Sequence, residues 1–361
     1  MLGLYLHIPY CASKCYYCDF YSAAHRGAVP DAYVDALLRE LARFTNCDTG
    51  PLRPDTVYFG GGTPSLLSPG QVCRLIDAAS PAPDAEITLE ANPDTVTLET
   101  LQGYRRAGVN RLSFGVQTAF DESLARLGRR HTAADARRAL ALAAQAGFSN
   151  LSGDVMLALP GYTLAELDAT LALLAGGGCT HISSYLLKIE DGTVFGRRPP
   201  AGLPDDDAAA DFYLAAVERL AALGYAQYEI SNFARPGAAS RHNLLYWDCE
   251  DYLGLGPAAA SCLHRRRFST PQGTAAFLAA PTVYLPEGPC TGQDYAMLRL
   301  RLAAGLSLPR LARDWGVAWG PEKLAFCRRL AAEGLAVFDG ETLALTPRGM
   351  LVQNSILCEL L

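Results

Sequence analysis

Short apolar segments alternate with helical patterns along the first two thirds of the chain, and this alternation constrains the fold most. The strand-like segments are residues 4–8, 56–59, 86–90, 111–115, 153–157 and 181–186, with residues 226–230 as a seventh candidate. Between them lie apolar residues at helical spacing, such as Val34, Leu37, Leu38 and Leu41. Strand and helix repeated in this order predict parallel strands joined by right-handed crossovers.

An open doubly wound sheet and a barrel both satisfy this alternation. Polar and glycine-rich motifs follow the C-terminal ends of successive strands, as barrel active sites do, although a doubly wound sheet also binds ligands there. We therefore predict an α/β fold with a partial (β/α)6 TIM-like barrel. Pro30 and Asp31 have the order typical of a helix start, and Gly108, Gly147 and Gly224 stand where helix C-caps are expected.

After residue 230 the regular alternation ends, and the sequence predicts three parts: residues 1–230, 231–290 and 291–361. The first part is the barrel and the second is a connecting segment. The third contains helical patterns at residues 293–304, 307–315 and 321–333. Asp339-Gly340, between Val337 and Leu343, predicts a hairpin. Helices followed by a hairpin predict a small C-terminal helical, winged-helix-like domain.

Composition and charge favour a compact protein outside the nucleic-acid-binding class. Half of the 361 residues are apolar, and the net charge is -6. Nucleic-acid binding generally requires a basic face, so no nucleic-acid partner is expected, and the run Arg265–Arg267 is interpreted as a solvated loop. The N-terminus lacks the features of a secretory signal, and no apolar stretch approaches membrane-span length. We therefore expect a cytoplasmic protein.

The strongest motif is CASKCYYC, which places Cys11, Cys15 and Cys18 just after the first strand. Three clustered thiolates bind soft metal, either an iron–sulfur cluster or zinc. Structural zinc normally takes four ligands, and the nearby Asp19 and His25 lack zinc-finger spacing. A [4Fe–4S] cluster held by three thiolates leaves one iron free for a small molecule.

The other eight cysteines lack ligand spacing, and we expect small buried side chains at Cys47, Cys73, Cys179, Cys249, Cys262, Cys290, Cys327 and Cys358.

Four further motifs follow successive strands. YFGGGTPS ends the second strand, and its Gly60–Gly62 allow close backbone approach to a ligand and presentation of N–H groups to a carboxylate. Glu90 of LEANPD can accept hydrogen bonds from ribose hydroxyls or an amine. Gln117 of FGVQ and Asp154 of SGDVMLALPG follow in the same way, with Arg129 between them in LGRRHT. Singly each is weak, but together they predict polar groups at the mouth of one barrel.

The combination YLHIPYC-x3-C-x2-C, GGGTPS, LEANP, SFGVQ and LGRRHT resembles the oxygen-independent coproporphyrinogen III oxidase family of the radical S-adenosylmethionine superfamily. Downstream, YEISNFA, SRHNLLYW and YLGLGP are similar to the branch of HemW-type heme chaperones. The resemblance spans nearly the whole chain. It implies a partial barrel of six βα units with a C-terminal appendage.

The resemblance also assigns roles by position. It implies that Cys11, Cys15 and Cys18 bind a [4Fe–4S] cluster, and that Tyr5, Gly61 and Glu90 contact S-adenosylmethionine. In the oxidase branch a second S-adenosylmethionine is held by residues that match Tyr17, Gly62, Thr63, Gln117, Arg129 and Asp154.

Two differences separate this chain from the oxidases it resembles. Those have an extra N-terminal segment before the first strand, which is expected to be absent here, and a further cysteine where this chain has Phe20. In the chaperone branch the HNLLY stretch is associated with heme, which implies His242 as an axial ligand and Tyr246 as a weaker candidate. The alternative is a histidine that caps or bridges a loop. Ala260 stands where relatives often have another histidine.

Two functions are consistent with these patterns. The first is a heme chaperone with a [4Fe–4S] cluster and S-adenosylmethionine, which delivers heme to respiratory or storage proteins. Peripheral membrane association with respiratory proteins and a homodimer are further expectations. The alternative is the radical decarboxylation of coproporphyrinogen III propionates, or radical chemistry on another substrate such as heme itself, so whether the protein is an enzyme stays open at this point.

Overall fold

The predicted strands are present in the computed structural model, which describes residues 1–45, 52–279 and 281–361, so that Cys47 lies outside the described residues. In chain order the strands are β1 (Leu2–Ile8), β2 (Tyr10–Cys11), β3 (Ala23–Ala24), β4 (Thr56–Gly61), β5 (Glu86–Ala91), β6 (Arg111–Gln117), β7 (Asn150–Leu157), β8 (His181–Leu186), β9 (Ala226–Glu229), β10 (Asn232–Ala234), β11 (Asp251–Leu255), β12 (Ala260–Leu263), β13 (Arg266–Ser269), β14 (Leu285–Pro289), β15 (Leu306–Ser307), β16 (Ala336–Phe338) and β17 (Thr342–Leu345).

The expected helix start at Asp31 and the C-cap at Gly108 are confirmed, whereas Gly147 and Gly224 lie one residue beyond the C-caps Ala146 and Leu223. In chain order the helices are α1 (Asp31–Thr45), α2 (Pro69–Ala79), α3 (Leu98–Ala107), α4 (Asp121–Arg126), α5 (Ala133–Gln145), α6 (Leu164–Gly176), α7 (Val194–Arg197), α8 (Asp206–Ala222), α9 (Arg241–Trp247), α10 (Thr274–Ala279), α11 (Gly292–Arg299), α12 (Leu308–Trp315), α13 (Pro321–Ala332), α14 (Pro347–Leu351) and α15 (Gln353–Leu360). Gly108 ends α3 with φ at 109°, a left-handed conformation that glycine adopts without steric cost.

One sheet organises the barrel, in the strand order β14-β13-β12-β11-β1-β4-β5-β6-β7-β8-β10-β9. The six strands β1 and β4 to β8 run parallel to their neighbours within this group. Side chains on both faces of these strands are largely buried: Leu6, Phe59 and Phe114 lie on the face that helices cover, and Thr88 and Arg111 lie on the other face. The predicted α/β class with a partial six-unit barrel is confirmed.

The sheet extends beyond the six predicted strands on both sides. The seventh candidate forms β9, which pairs antiparallel with β10 and so does not continue the parallel series. On the other side β11 pairs parallel with β1, with Leu4 opposite Leu253. The segment 231–290 therefore adds strands to the barrel sheet, and the run Arg265–Arg267 lies at a turn and in β13. The sequence did not indicate the pairing of β11 with β1, because it joins segments far apart along the chain.

A second apolar core lies in the C-terminal part of the chain. It is formed by α11 to α15 and a three-stranded sheet in the order β15-β17-β16, with Tyr295, Leu330 and Leu343 fully buried. The predicted hairpin joins β16 and β17, and Gly340 has φ at 100° in its turn. Arg301 pairs with Glu229 of β9 at 3.2 Å, which links this core to the barrel. The boundaries of the three predicted parts stay a prediction.

Candidate cofactor site at the mouth of the barrel

A cavity of about 390 Å³ opens at the C-terminal ends of β1 and β4 to β8. The three motif cysteines, Cys11, Cys15 and Cys18, line it. Eight of the nine side chains or glycines expected to contact S-adenosylmethionine line it too, namely Tyr17, Gly61, Gly62, Thr63, Glu90, Gln117, Arg129 and Asp154. The structure thus brings together residues that are up to 143 positions apart in sequence, from Cys11 to Asp154.

Backbone hydrogen bonds hold the cysteine loop against the glycine-rich turn. The Gly62 N–H donates to the Ile8 carbonyl at 2.8 Å, and the Thr63 N–H donates to the Tyr10 carbonyl at 2.8 Å. Within the loop, the His25 N–H donates to the Cys11 carbonyl at 2.7 Å. The loop that carries the thiols is therefore fixed to the ends of β1 and β4, because its backbone groups are paired there.

The three thiols are free, with Cys11 buried and Cys15 and Cys18 partly exposed. Arg129 Nη1 donates to Cys15 Sγ at 3.5 Å. Three soft sulfur donors that face one cavity, with a guanidinium to balance thiolate charge, fit a [4Fe–4S] cluster. In such a cluster each thiolate binds a different iron, so the ligands need not converge on one point. Among the described ranges, no three ligand-type side chains are grouped as for a single metal ion.

Glycine is required at the turn after β4 for reasons of space. A Cβ on Gly62 would lie 2.7 Å from the carbonyl oxygens of Ile8 and Tyr10. Gly61 has φ at 108°, and a Cβ there would lie 2.5 Å from the His7 ring. The Gly61 N–H donates to Glu90 Oε2 at 3.2 Å. Both glycines thus let the turn pack closely on β1 and the cysteine loop.

Two partly exposed carboxyl groups, Glu90 and Asp154, line the cavity. Tyr58 Oη donates to Glu90 Oε1 at 2.8 Å, and burial with the nearby Asp154 raises the pKa of Glu90 to about 7. Burial also raises the pKa of Asp154 to about 6, against the lowering effect of a hydrogen bond from Ser183. Arg111, which is 2% exposed, supplies positive charge below both groups. The carboxyl groups therefore change protonation near neutral pH.

Arg129 is the polar centre of the opposite wall. Its Nη2 donates to Asn92 Oδ1 at 2.8 Å and to the Gly115 carbonyl at 2.5 Å. Asn92 Nδ2 in turn donates to Thr63 Oγ1 at 3.1 Å.

Gln117 ends β6 in a left-handed conformation, with φ at 69°, at an irregularity in the pairing with β7. Such strain is tolerated where the surrounding structure fixes the residue, and it is frequent at ligand sites.

Tyr5 is the one expected contact that lies below the cavity. Its hydroxyl is 3.1 Å from His7 Nδ1, and its ring stacks on Tyr58 at 6.1 Å between centroids. Tyr17, by contrast, comes from the cysteine loop and lines the cavity. Burial raises the pKa of both tyrosines, so both hydroxyls stay protonated.

His242 lies at the opposite end of the barrel, where the strands begin. Its Nδ1 is 2.6 Å from Thr56 Oγ1 at the start of β4, and its Nε2 is 2.7 Å from Tyr246 Oη. The ring is 1% exposed and stacks on Tyr58 with centroids 5.0 Å apart. Burial, followed by the charge of Arg111, lowers the pKa of His242 to about 3. In this conformation both ring nitrogens are hydrogen-bonded, so heme ligation requires one of these bonds to break.

His181 is held in nearly the same way at the same end of the barrel. Its Nδ1 is 2.8 Å from Ser152 Oγ, and its Nε2 is 2.8 Å from Tyr228 Oη. It is 0% exposed, and burial lowers its pKa well below the ordinary value. The pair shows that a hydroxyl on each ring nitrogen is a recurring way of burying a neutral histidine here.

Sequence reasoning missed several residues of the site. Asn92 was inside the motif LEANPD, and its position directly after β5 could have indicated it. Tyr58 and Arg111 were not indicated, because alternation assigns interior strand positions to apolar packing.

The expectation that isolated cysteines are small buried side chains is wrong for Cys73 and Cys249, which are partly exposed, and for Cys358, which is exposed. Cys249, Cys262 and Cys290 also lie together, as described below.

The partial barrel and the three-cysteine cavity define a radical S-adenosylmethionine protein. The model of the radical SAM superfamily matches residues 5–174, and that of the HemN C-terminal domain matches residues 294–352. The chain belongs to the family of HemW-type heme chaperones, as the resemblance of its motifs indicated. This membership implies a [4Fe–4S] cluster and S-adenosylmethionine, which the donor set of the cavity fits.

The family assignment rests on curated relatives. The protein named "Heme chaperone HemW" from Escherichia coli K12 is 46% identical over 263 residues, which cover 72% of this chain and 69% of the relative. The protein of the same name from Mycobacterium tuberculosis is 36% identical and covers 99% of this chain and 94% of the relative. Among solved structures, coproporphyrinogen III oxidase (HemN) from Escherichia coli has a TM-score of 0.84 at 25% identity, covering 99% of this chain and 89% of the other.

Proposed function

We propose that this protein is a heme chaperone that binds heme, a [4Fe–4S] cluster and S-adenosylmethionine and delivers heme to acceptor proteins. The observation that carries the proposal is full-length similarity: a curated heme chaperone aligns over 99% of this chain and 94% of its own length. The similarity therefore includes the barrel, α9 with its HNLLYW sequence, and the C-terminal core.

In this proposal Cys11, Cys15 and Cys18 hold the cluster, and the cavity beside them holds S-adenosylmethionine. When both are bound, the reduced cluster supplies the electron for cleavage of S-adenosylmethionine. The chain supplies recognition. Glu90, fixed by Tyr58, accepts hydrogen bonds from an amine or ribose, and the cavity walls shield these contacts from water. Such charge-assisted bonds in a buried site are stronger than bonds between neutral groups.

Arg129 supports the cluster side of the cavity. Its guanidinium contacts Cys15 Sγ and is held by Asn92 Oδ1 and the Gly115 carbonyl. This contact places a positive charge beside one of the three proposed cluster ligands. The remaining cavity residues carried over from the resemblance, including Gln117 and Asp154, are proposed as further contacts.

For heme, we retain His242 as the proposed axial ligand and Tyr246 as its weaker alternative. Tyr246 Oη occupies the position next to His242 Nε2, so ligation requires the C-terminal part of α9 to move away. The helix is short, with seven residues, and its C-terminal Tyr246 and Trp247 are only partly buried. A rearrangement of this helix is therefore less costly than one of a central strand.

Respiratory or storage proteins as heme acceptors, a homodimer, peripheral association with membrane proteins and a cytoplasmic location are parts of the same proposal. Within residues 1–45, 52–279 and 281–361, the helices are too short or too polar to cross a bilayer.

Heme titration of the anaerobically reconstituted protein tests the proposal. We expect about one heme per chain with a Soret band that depends on His242. His242→Ala should weaken binding at least about tenfold and shift the Soret maximum, because an axial imidazole is lost. His181→Ala is the matched control, since it removes a histidine that is equally buried and equally bonded at the same end of the barrel.

A second variant separates ligation from folding. Tyr246→Phe removes the hydroxyl that occupies His242 Nε2 and keeps the ring that packs on Tyr252. If His242 ligates heme, Tyr246→Phe retains or strengthens binding. Equal Soret spectra and affinities for His242→Ala and the unmodified protein would reject the ligand role. Absence of heme binding by soluble, cluster-loaded protein would reject the chaperone function itself.

The structural similarity to HemN supports a second candidate, the oxygen-independent oxidation of coproporphyrinogen III. The TM-score of 0.84 over 99% of the chain means that barrel and C-terminal part have the same arrangement in both proteins. Growth of an oxidase-deficient strain that expresses this chain would support that activity. Failure to grow, with soluble and cluster-loaded protein present, would reject it.

A further inference from the structure

Three cysteines outside the cofactor cavity lie together where the barrel sheet meets the C-terminal core. Cys249 follows α9, Cys262 is in β12, and Cys290 directly follows β14, two residues before α11 begins. All three are free thiols, and the side chains of Cys249 and Cys262 are both within hydrogen-bonding reach of Cys290. They are separated by up to 41 positions in sequence, from Cys249 to Cys290, so the tertiary structure brings them together.

Backbone pairing fixes two of the three positions. Cys262 lies opposite Tyr252 in β11 and opposite Arg267 in β13. The Cys290 N–H donates to the Arg265 carbonyl at 2.8 Å, which extends the β13–β14 pairing by one step. Cys249 differs, because it lies in the loop after α9 in a left-handed conformation with φ at 52°. It is thus the one member of the cluster that does not belong to or extend a paired strand.

The charges around the cluster favour a thiolate at Cys290. Hydrogen bonds from Cys249 and Cys262, followed by the charges of Arg267 and Arg265, lower the pKa of Cys290. Both guanidiniums are held in place: Arg265 lies 3.9 Å from the centre of the Trp315 ring, and Arg267 pairs with Glu287 at 3.2 Å. These two cations act on Cys290, whereas the carboxylates of Asp294 and Asp251 act on Cys249 and Cys262.

Small molecules can reach the Cys249 side of the cluster from solvent. A cavity of about 290 Å³, lined mainly by charged and polar residues, includes Cys249, Asp251, His264 and Arg265. Cys249 is partly exposed on this cavity, and Cys290 is 9% exposed. Ionised, reachable thiols next to a partner thiol are the ones that react with peroxides.

We propose that Cys290 is a peroxide-reactive thiolate and that Cys249 is its resolving cysteine, so that a hydroperoxide converts the pair into a disulfide. The Cys290 sulfur attacks the terminal peroxide oxygen, the O–O bond breaks, and the departing alkoxide or hydroxide takes up a proton. The product is a sulfenic acid at Cys290. The Cys249 sulfur then attacks the Cys290 sulfur, the S–O bond breaks, and the oxygen leaves as water with the thiol proton. Two thiols lose two electrons, and the hydroperoxide is reduced to an alcohol and water.

Cys262 has a different role in this site. It lies within a paired strand and is 2% exposed, so it cannot approach Cys290 without disturbing β12. Its thiol donates to the Cys290 sulfur and stabilises the reactive form. The disulfide would join the end of α9 to the residue before α11, and so cross-link the barrel sheet to the start of the C-terminal core.

Peptide-level thiol mapping of the full-length, anaerobically reconstituted protein tests the proposal. In the unoxidised protein, Cys290 should react with iodoacetamide at least about tenfold faster than the exposed Cys358, because only Cys290 is held as a thiolate. One equivalent of hydrogen peroxide, followed by alkylation and digestion without reductant, should yield a Cys249–Cys290 linked peptide. Dithiothreitol should remove this peptide, and Cys327, buried in the C-terminal core, should stay reduced.

Variants assign the roles. With Cys249→Ser the linked peptide should be absent and dimedone should label Cys290 as a sulfenic acid. With Cys290→Ser, Cys249 should stay a free thiol. Arg267→Gln should slow the alkylation of Cys290 several-fold while the linked peptide still forms. The proposal is overturned if Cys290 reacts no faster than Cys358 in the unmodified protein, or if peroxide gives a Cys262–Cys290 link instead.

Discussion

The two ends of the barrel use polar residues in opposite ways. At the mouth, where the strands end, three free thiols and two carboxyl groups with raised pKa values surround an open cavity. At the other end, where the strands begin, each ring nitrogen of His242 and of His181 is hydrogen-bonded to its own side-chain hydroxyl group. The mouth presents polar groups to an open cavity, whereas both histidine rings at the closed end are fully hydrogen-bonded, which agrees with the general location of barrel active sites.

Tyr58 connects these two ends. Its ring stacks on His242, and its hydroxyl donates to Glu90, which lines the cavity. A change in α9 that displaces His242 therefore removes packing from the residue that fixes Glu90. The comparison shows that the ligand site at the mouth is built from side chains that face an open cavity. His242, by contrast, can bind heme only after one of its two hydrogen bonds breaks.

The largest expected effect is at the mouth. Cys15→Ser should abolish the [4Fe–4S] cluster, because a hydroxyl is a poor soft-metal ligand and two thiolates remain. Iron content after anaerobic reconstitution should fall below about a tenth of the unmodified value, with loss of the cluster absorbance. Cys358→Ser, at an exposed cysteine of the C-terminal part, should leave both unchanged. Normal iron loading of Cys15→Ser would contradict the assignment.

At the closed end, stability should respond strongly and equally at two positions. His242→Ala and His181→Ala should each lower the free energy of unfolding by about 3 kcal/mol, because each removes a buried ring and leaves two hydroxyls without a partner. Urea unfolding of the apoprotein measures both. The contrasting outcome is that His242→Ala lowers the free energy of unfolding by at least about 1.5 kcal/mol less than His181→Ala does. That result would mean that α9 is loosely held, and it would support its movement on heme binding.

At the mouth of the barrel, Glu90→Gln should weaken S-adenosylmethionine binding about 10- to 100-fold, because a charge-assisted acceptor is replaced by a neutral one. Equilibrium binding to the cluster-loaded protein is the measurement, and cluster content should not change. Glu99→Gln, at an acidic residue in the first turn of α3, is the matched control. Equal affinity of Glu90→Gln and the unmodified protein would exclude a direct contact.

The smallest effect is a pH dependence from the same residue. Burial raises the pKa of Glu90 to about 7, so the carboxylate that accepts hydrogen bonds is lost as pH falls below 7. Affinity for S-adenosylmethionine should therefore rise up to about tenfold between pH 6 and pH 8 and level off above pH 8. In Glu90→Gln this rise should be reduced. The same rise in that variant would assign the titration to Asp154 or to another group.

The sequence was sufficient for the parallel barrel and for most of the cavity. Alternating apolar segments located the six parallel strands, and the residues after them line one cavity because parallel strands all end on the same side. The sequence was insufficient for β11, whose five residues pair with β1 across most of the chain. It also failed for Cys249, Cys262 and Cys290, because spacing reveals metal-type clusters only when the ligands are close in sequence.

The sequence by itself determined the class of fold, the three cysteines of the cofactor site and the family, since these depend on local patterns and on contiguous motifs. Only the tertiary structure decided that Tyr5 lies below the cavity, that His242 is buried at the far end from the cluster, and that three distant cysteines meet. These facts depend on which strand edges pair and on which groups occupy the remaining hydrogen-bonding positions, and neither is encoded in any single segment.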